Sequence, residues 1–172
     1  MKVAPDPILG SLDALIHAQA AAATLTECLR RVLQQLERSD RPMAWEVVPL
    51  SAFEDLPKSI RSCWIFVIRP GTTTSAERHP NSHQRSCSLV GNGTFEVYDG
   101  SQWYPHALAS GEHGERWVSI PPSTWHRLVV GSAAWGMVSF HTVAPEDLIE
   151  EKPLDANHLD GPTHQERYAG RR

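Results

Sequence analysis

Cysteine is scarce in this sequence: Cys28, Cys63 and Cys87 are odd in number, and none stands in a CxxC pair. That argues against a disulfide framework and leads us to expect reduced thiols in a cytoplasmic protein. Dense runs of Lys or Arg are missing too, and the formal charge is -4 with a pI near 6.1. The chain therefore lacks the electrostatic footprint of a protein that binds nucleic acid or an anionic membrane, and neither partner is expected. No stretch approaches the roughly 18 to 20 apolar residues that span a bilayer. The longest small-apolar run, Ala20 to Ala23, is too short for a secretory signal and has Asp13 and His17 before it.

What is present suffices for a fold. Apolar residues make up 41% of the 172 and charged ones 21%, the balance of a soluble globular chain long enough for one domain with its own core. Residues 1–42 read as helical: Leu25, Leu29, Val32, Leu33 and Leu36 recur at spacings of three and four along one face. Thr24 and Glu27 have the spacing of a capping box at the start of that helix, and Asp40-Arg41-Pro42 closes it. A shorter helix is expected before it, from about Ser11 to Ala22. The apolar stripe is expected to pack across the rest of the domain.

From residue 43 to 145 the character changes to short β-rich runs separated by Gly, Pro, Asn and Asp, so the expected class is all-β, a sandwich or barrel. Strands are expected near 45–48, 63–69, 72–79, 84–90, 94–98, 116–120, 125–130 and 135–142. Turns are expected at Pro80-Asn81-Ser82, Gly91-Asn92-Gly93 and Asp99-Gly100. His106 and His113 are expected in a polar loop. Residues 146–172 turn acidic and then polar and are expected to form a loosely attached extension.

Chemistry concentrates in two segments. On a strand, Glu77 and His79 are two apart and project from one face, so they can share one ion. A turn at Pro80-Asn81-Ser82 would fold the next strand back and bring His83 or Gln84 opposite that pair. Ser86 and Ser88 share the parity of Gln84, whereas Cys87 and Leu89 share that of His83, so a solvated polar pocket favours Gln84 and leaves His83 as the alternative. His126 follows some forty residues later, after Pro121-Pro-Ser-Thr-Trp. One carboxylate, two imidazoles and an amide oxygen suit a divalent transition ion, Mn, Fe, Ni, Co or Zn, better than Mg or Ca. The plain alternatives are histidines bonded to backbone and a Glu77 on an exposed sheet edge.

These segments resemble the two-motif signature of the cupin superfamily. Gly71, Glu77, His79, Gln84 and Gly91 occupy the slots of the first motif, and Pro121, Ser123 and His126 those of the second. Across residues 60–143 the resemblance implies a jelly-roll β-barrel with the metal inside, here preceded by a helical segment, and it also implies a homodimer. Departures from the motif are Glu77 for its first histidine, Gln84 for its glutamate, Ser123 for its glycine and Val130 for its final asparagine. The first two exchanges together keep the ligand charge at minus one. The resemblance therefore implies a metal-dependent enzyme in which the ion, bound by Glu77, His79, Gln84 and His126, acts as a Lewis acid on a small polar metabolite. An Fe(II) dioxygenase and a non-catalytic small-ligand barrel are the alternatives. Ser86, Trp125 and His141 are the expected pocket residues, with Trp125 at the mouth and His141 a possible base or a structural histidine.

Overall fold

A computed structural model describes residues 6–111 and 115–167. Two helices lead, α1 (Leu9–His17) and α2 (Gln19–Glu37), followed by ten strands. These are β1 (Met43–Val47), β2 (Ser62–Ile68), β3 (Gln84–Val90), β4 (Asn92–Tyr98), β5 (Trp103–Ala109), β6 (Trp117–Ile120), β7 (His126–Val130), β8 (Trp135–His141), β9 (Ile149–Pro153) and β10 (Thr163–Arg167). They form an antiparallel five-stranded sheet in the order β1-β2-β8-β3-β6, a three-stranded sheet β5-β4-β7 and a β9-β10 hairpin. No helix among the described residues is long and apolar enough to cross a membrane.

Alternation along the strands builds two cores. On β2, Cys63, Ile65 and Val67 face the helices, where Leu12, Ile16, Leu25, Cys28, Val32 and Leu36 cover them together with Cys87, Val138 and Phe140. Trp64, Phe66 and Ile68 face the other way, against Phe95, Val97, Leu128, Val130, Trp135 and Met137 between the two sheets. Burial on both faces is why β2 is an unbroken apolar run. The helical stripe thus packs on the barrel as its periodicity implies; truncating the fully buried Val32 would cost a few kcal/mol, about 2 to 4.

Three features depart from the expectations. The helix break falls at Ala18, with φ -61° and ψ 138°, rather than near Thr24. The alanine run favours helix strongly enough to carry α2 through Thr24. There the hydroxyl donates back to the Ala20 carbonyl at 3.1 Å, and Glu27 accepts from Arg30 at 3.0 Å instead of closing a cap.

The expected strand over 72–79 is a string of single bridges, Thr73 to Val129, Glu77 to His126 and Arg78 to Glu151. The Pro80-Asn81-Ser82 turn therefore does not make a hairpin. It carries the chain to β3, which pairs with β6 and β8 in the opposite sheet. Gly91 likewise links β3 to β4 across sheets, whereas Asp99-Gly100 does close the β4–β5 hairpin.

The segments expected to be irregular contain strands. His106 lies on β5, an edge strand that tolerates Pro105, while His113 falls outside the described residues. After Pro145, Leu148 and Glu150 are buried, and β9 and β10 pair with each other, so this part of the tail is not loose.

Gly91 has φ +73°, and a Cβ there would lie 2.3 Å from the Ala134 carbonyl oxygen; Gly71 has φ +70° but nothing within 4 Å. Gly71→Ala should therefore lose about 1 kcal/mol from the backbone alone, and Gly91→Ala at least about twice that. Urea denaturation of the two variants side by side checks the difference, and equal losses would contradict the close approach.

Candidate metal centre

The second motif brings His126 to the start of β7, and the bridge to the 72–79 segment sets Glu77 directly across from it. Glu77 and His126 exchange two backbone hydrogen bonds of 2.9 Å. Their side chains share a face, with His126 Nε2 3.7 Å from Glu77 Oε1. His79, two residues on, has the same parity. Ligand atoms of Glu77, His79 and His126 lie within 4.8 Å of one another. Ser123 takes the positive φ, +62°, that the motif's glycine provides, and its N–H donates to the His79 carbonyl at 3.0 Å.

Both imidazoles are oriented by main chain. His79 Nδ1 donates to the Ile149 carbonyl and His126 Nδ1 to the Thr124 carbonyl, each at 3.0 Å. A carbonyl can only accept, so Nδ1 carries the proton in both rings and each Nε2 presents a lone pair. Burial first, then the charge of neighbouring His79, pushes the His126 pKa down to about 3. Burial also lowers His79, partly offset by its bond to Ile149 and the Glu150 charge. Both rings are thus neutral ligands near pH 7.

The opposite sheet supplies the rest of the pocket. Ser62, His141, Gln84 and Ile120 stand in one row across β2, β8, β3 and β6. The His141 ring meets His79 edge-on at 5.2 Å, and its Nδ1 lies 3.2 Å from Ser82 Oγ. Burial, with the charges of His79 and His126, holds its pKa well below the ordinary value. Gln84 Nε2 donates to Ser86 Oγ at 3.1 Å, and Ser86 and Ser139 hydroxyls meet at 2.6 Å. Gln84 Oε1 and His126 Nε2 are buried without a hydrogen-bond partner. Each such orphan costs about 1 to 3 kcal/mol. An imidazole nitrogen left bare beside a carboxylate and a second imidazole is the donor set a divalent transition ion takes, so Glu77, His79 and His126 fit a metal, and the bare amide oxygen of Gln84 on the facing sheet is of a type that could join them.

Sequence parity places Gln84 and Ser86 inward correctly, but not by the route expected, because Gln84 comes from the far sheet. His83 points outward: its Nε2 lies 2.7 Å from Ser119 Oγ and 3.6 Å from Asp6 Oδ2, beside Arg85. Trp125 is not at the pocket mouth. It packs with Ala76 and Leu159 on the outer face, with the Arg78 guanidinium 4.5 Å over its ring. His126 faces in, so its strand neighbour must face out.

Sequence reasoning missed β9 altogether. Its Ile149 carbonyl orients His79; Glu151 faces away and accepts from Arg78 Nε at 2.7 Å; Glu150, fully buried, and Lys152, partly exposed, line a cleft of about 430 Å³ with Glu77 and Trp45. The segment from Leu148 alternates buried and less buried positions, but charge at Glu150 and Lys152 hides the pattern from a hydrophobicity reading.

No protein-family model matches the chain, and a search of curated proteins finds no match. Solved structures do match. The coconut allergen cocosin aligns at a TM-score of 0.52 with 16% identity, over 66% of this chain and 29% of cocosin. The 11S globulin from Wrightia tinctoria gives 0.52 and 16%, over 66% and 28%. An oxalate oxidase structure gives 0.47 and 17%, over 61% and 53%. This chain spans between 27% and 53% of the first structures it matches. At such identities the likeness is one of fold, and the fold is the cupin-type jelly-roll barrel, with a Glu/His/His group able to hold a metal ion.

Histidines buried below their ordinary pKa bind fewer protons folded than unfolded. The metal-free protein should therefore keep its full stability above about pH 6.5 and lose it progressively as pH falls toward 3. Urea midpoints across that range check this, with the slope below pH 6.5 reduced in His141→Gln.

Proposed function

We infer that the protein is a metal-dependent enzyme acting on a small polar metabolite, with Glu77, His79, Gln84 and His126 holding one divalent ion. The observation that carries this reading is the convergence of ligand atoms of Glu77, His79 and His126 within 4.8 Å of one another, with His126 Nε2 among them buried and without a hydrogen-bond partner. A bound ion would supply Lewis-acid polarisation of a substrate carbonyl or hydroxyl, or a more acidic water. Hydrolysis, lyase chemistry and isomerisation are the reactions such polarisation would serve.

The protein's own groups would do the rest. Glu77, on the cleft wall, joins the ion to the substrate's side of the pocket. Main-chain carbonyls at Ile149 and Thr124 keep both imidazoles aimed inward. His141, whose pKa burial holds below its ordinary value, lies 3.2 Å from the Ser82 hydroxyl and packs edge-on against His79, where it would help to fix the ring of that ligand. The barrel's apolar interior excludes bulk water from behind the site.

Elemental analysis of protein purified without chelator should give one divalent ion per chain. His79→Ala and His126→Ala should each remove it, and Gln84→Ala should weaken it. Full occupancy in the double histidine variant would sink the site. Iron with oxygen-sensitive colour would point to the dioxygenase instead, and no metal after reconstitution to a binding barrel.

A further inference from the structure

The cleft beside Glu77 has a charge arrangement that selects its ligand. Its volume, about 430 Å³, is at the small end of ligand pockets. Two carboxylates, Glu77 and Glu150, and two cations, Arg41 and Lys152, stand in its wall. They balance, so a divalent ion held by Glu77 and its partners would leave the cleft with the ion's full double positive charge. An anion is then the ligand this field favours, and a cation is repelled.

The cations are not equivalent. Arg41 is exposed, whereas Lys152 Nζ is held 3.0 Å from Oε1 of Glu150, whose side chain has no exposed surface. Strand alternation turns Glu150 and Lys152 into the cleft together, and the Arg78–Glu151 pair fixes the opposite face of the same strand. Lys152 is thus a point charge fixed in direction. The adjoining wall is formed by Thr72, Thr73, Thr74 and Ser75; the Thr74 hydroxyl accepts from the Leu128 N–H at 2.9 Å, and those of Thr72, Thr73 and Ser75 can donate to and accept from a polyhydroxylated chain.

We propose that the cleft binds a small hydroxylated carboxylate, its carboxylate at Lys152 and its hydroxyl groups along Thr72–Ser75, with the far end toward the metal centre. This rests on the metal-enzyme reading and gives that site its substrate class. Nothing at the level of sequence pattern suggests it, because Lys152 belongs to a tail that looks irregular.

The test is calorimetric titration of the metal-loaded protein with D-gluconate and with sorbitol, which has the same six-carbon polyol frame without a carboxylate. Gluconate should bind at least tenfold tighter than sorbitol. Lys152→Arg should keep that preference. Lys152→Met should reduce it severalfold, and so should Glu150→Gln/Lys152→Met, which leaves the cleft's net charge unchanged, strands no buried carboxylate and so isolates the Lys152 contact from the general field. Equal binding of the two polyols, no binding of gluconate, or a preference undiminished in the double variant would each overturn the proposal. Metal content measured on the same samples separates the two readings: a chain that takes no ion overturns both, whereas a metal-loaded chain without the anion preference overturns only the substrate class.

Discussion

The bond from His79 Nδ1 to the Ile149 carbonyl holds the site together, because it joins residues seventy positions apart through a group that can only accept. It settles the imidazole tautomer, points Nε2 toward His126 and Glu77, and requires β9 to lie against the 72–79 segment. The Arg78 to Glu151 ion pair, one residue before His79 and two after Ile149, clamps the same junction from the outer face. Without β9, His79 would keep its place in the chain but lose the partner that orients it.

Polarity inside the barrel follows one gradient. At one end of the five-stranded sheet, Ile68 and Trp135 close the interior with apolar bulk; at the other, Ser62, His141 and Gln84 stand in a row. Between them, the Ser86 and Ser139 hydroxyls bond to each other. The helices make this gradient possible. By covering the outer face of the sheet with an apolar layer, they supply core on that side, so part of the inner face can be polar.

Much of this was legible in the sequence. Ligand types at motif spacing pointed to Glu77, His79, Gln84 and His126, and period-two alternation separated Gln84 and Ser86 from His83 and Cys87. The same alternation would have turned Trp125 outward had it been applied to the residue beside His126. The helical stripe was plain, but the break between the helices was not, since a Thr-x-x-Glu pattern fits a helix interior as readily as a cap. Pro105 disguised an edge strand, and Glu150, Glu151 and Lys152 disguised β9, because side-chain polarity says nothing about backbone pairing with a distant segment.

The sequence by itself determined what depends on short-range rules: which faces are apolar, where the chain turns, and which side chains can serve as ligands on one face. Tertiary structure decided what depends on partners far along the chain. It placed Gln84 across the barrel from Glu77 and His79 instead of beside them, put a tail strand at the candidate metal centre, and set Lys152 on the cleft wall. Strand pairing is made by identical main-chain groups at every residue, so sequence marks a strand's faces but not its neighbour; only closure of the whole barrel chooses that.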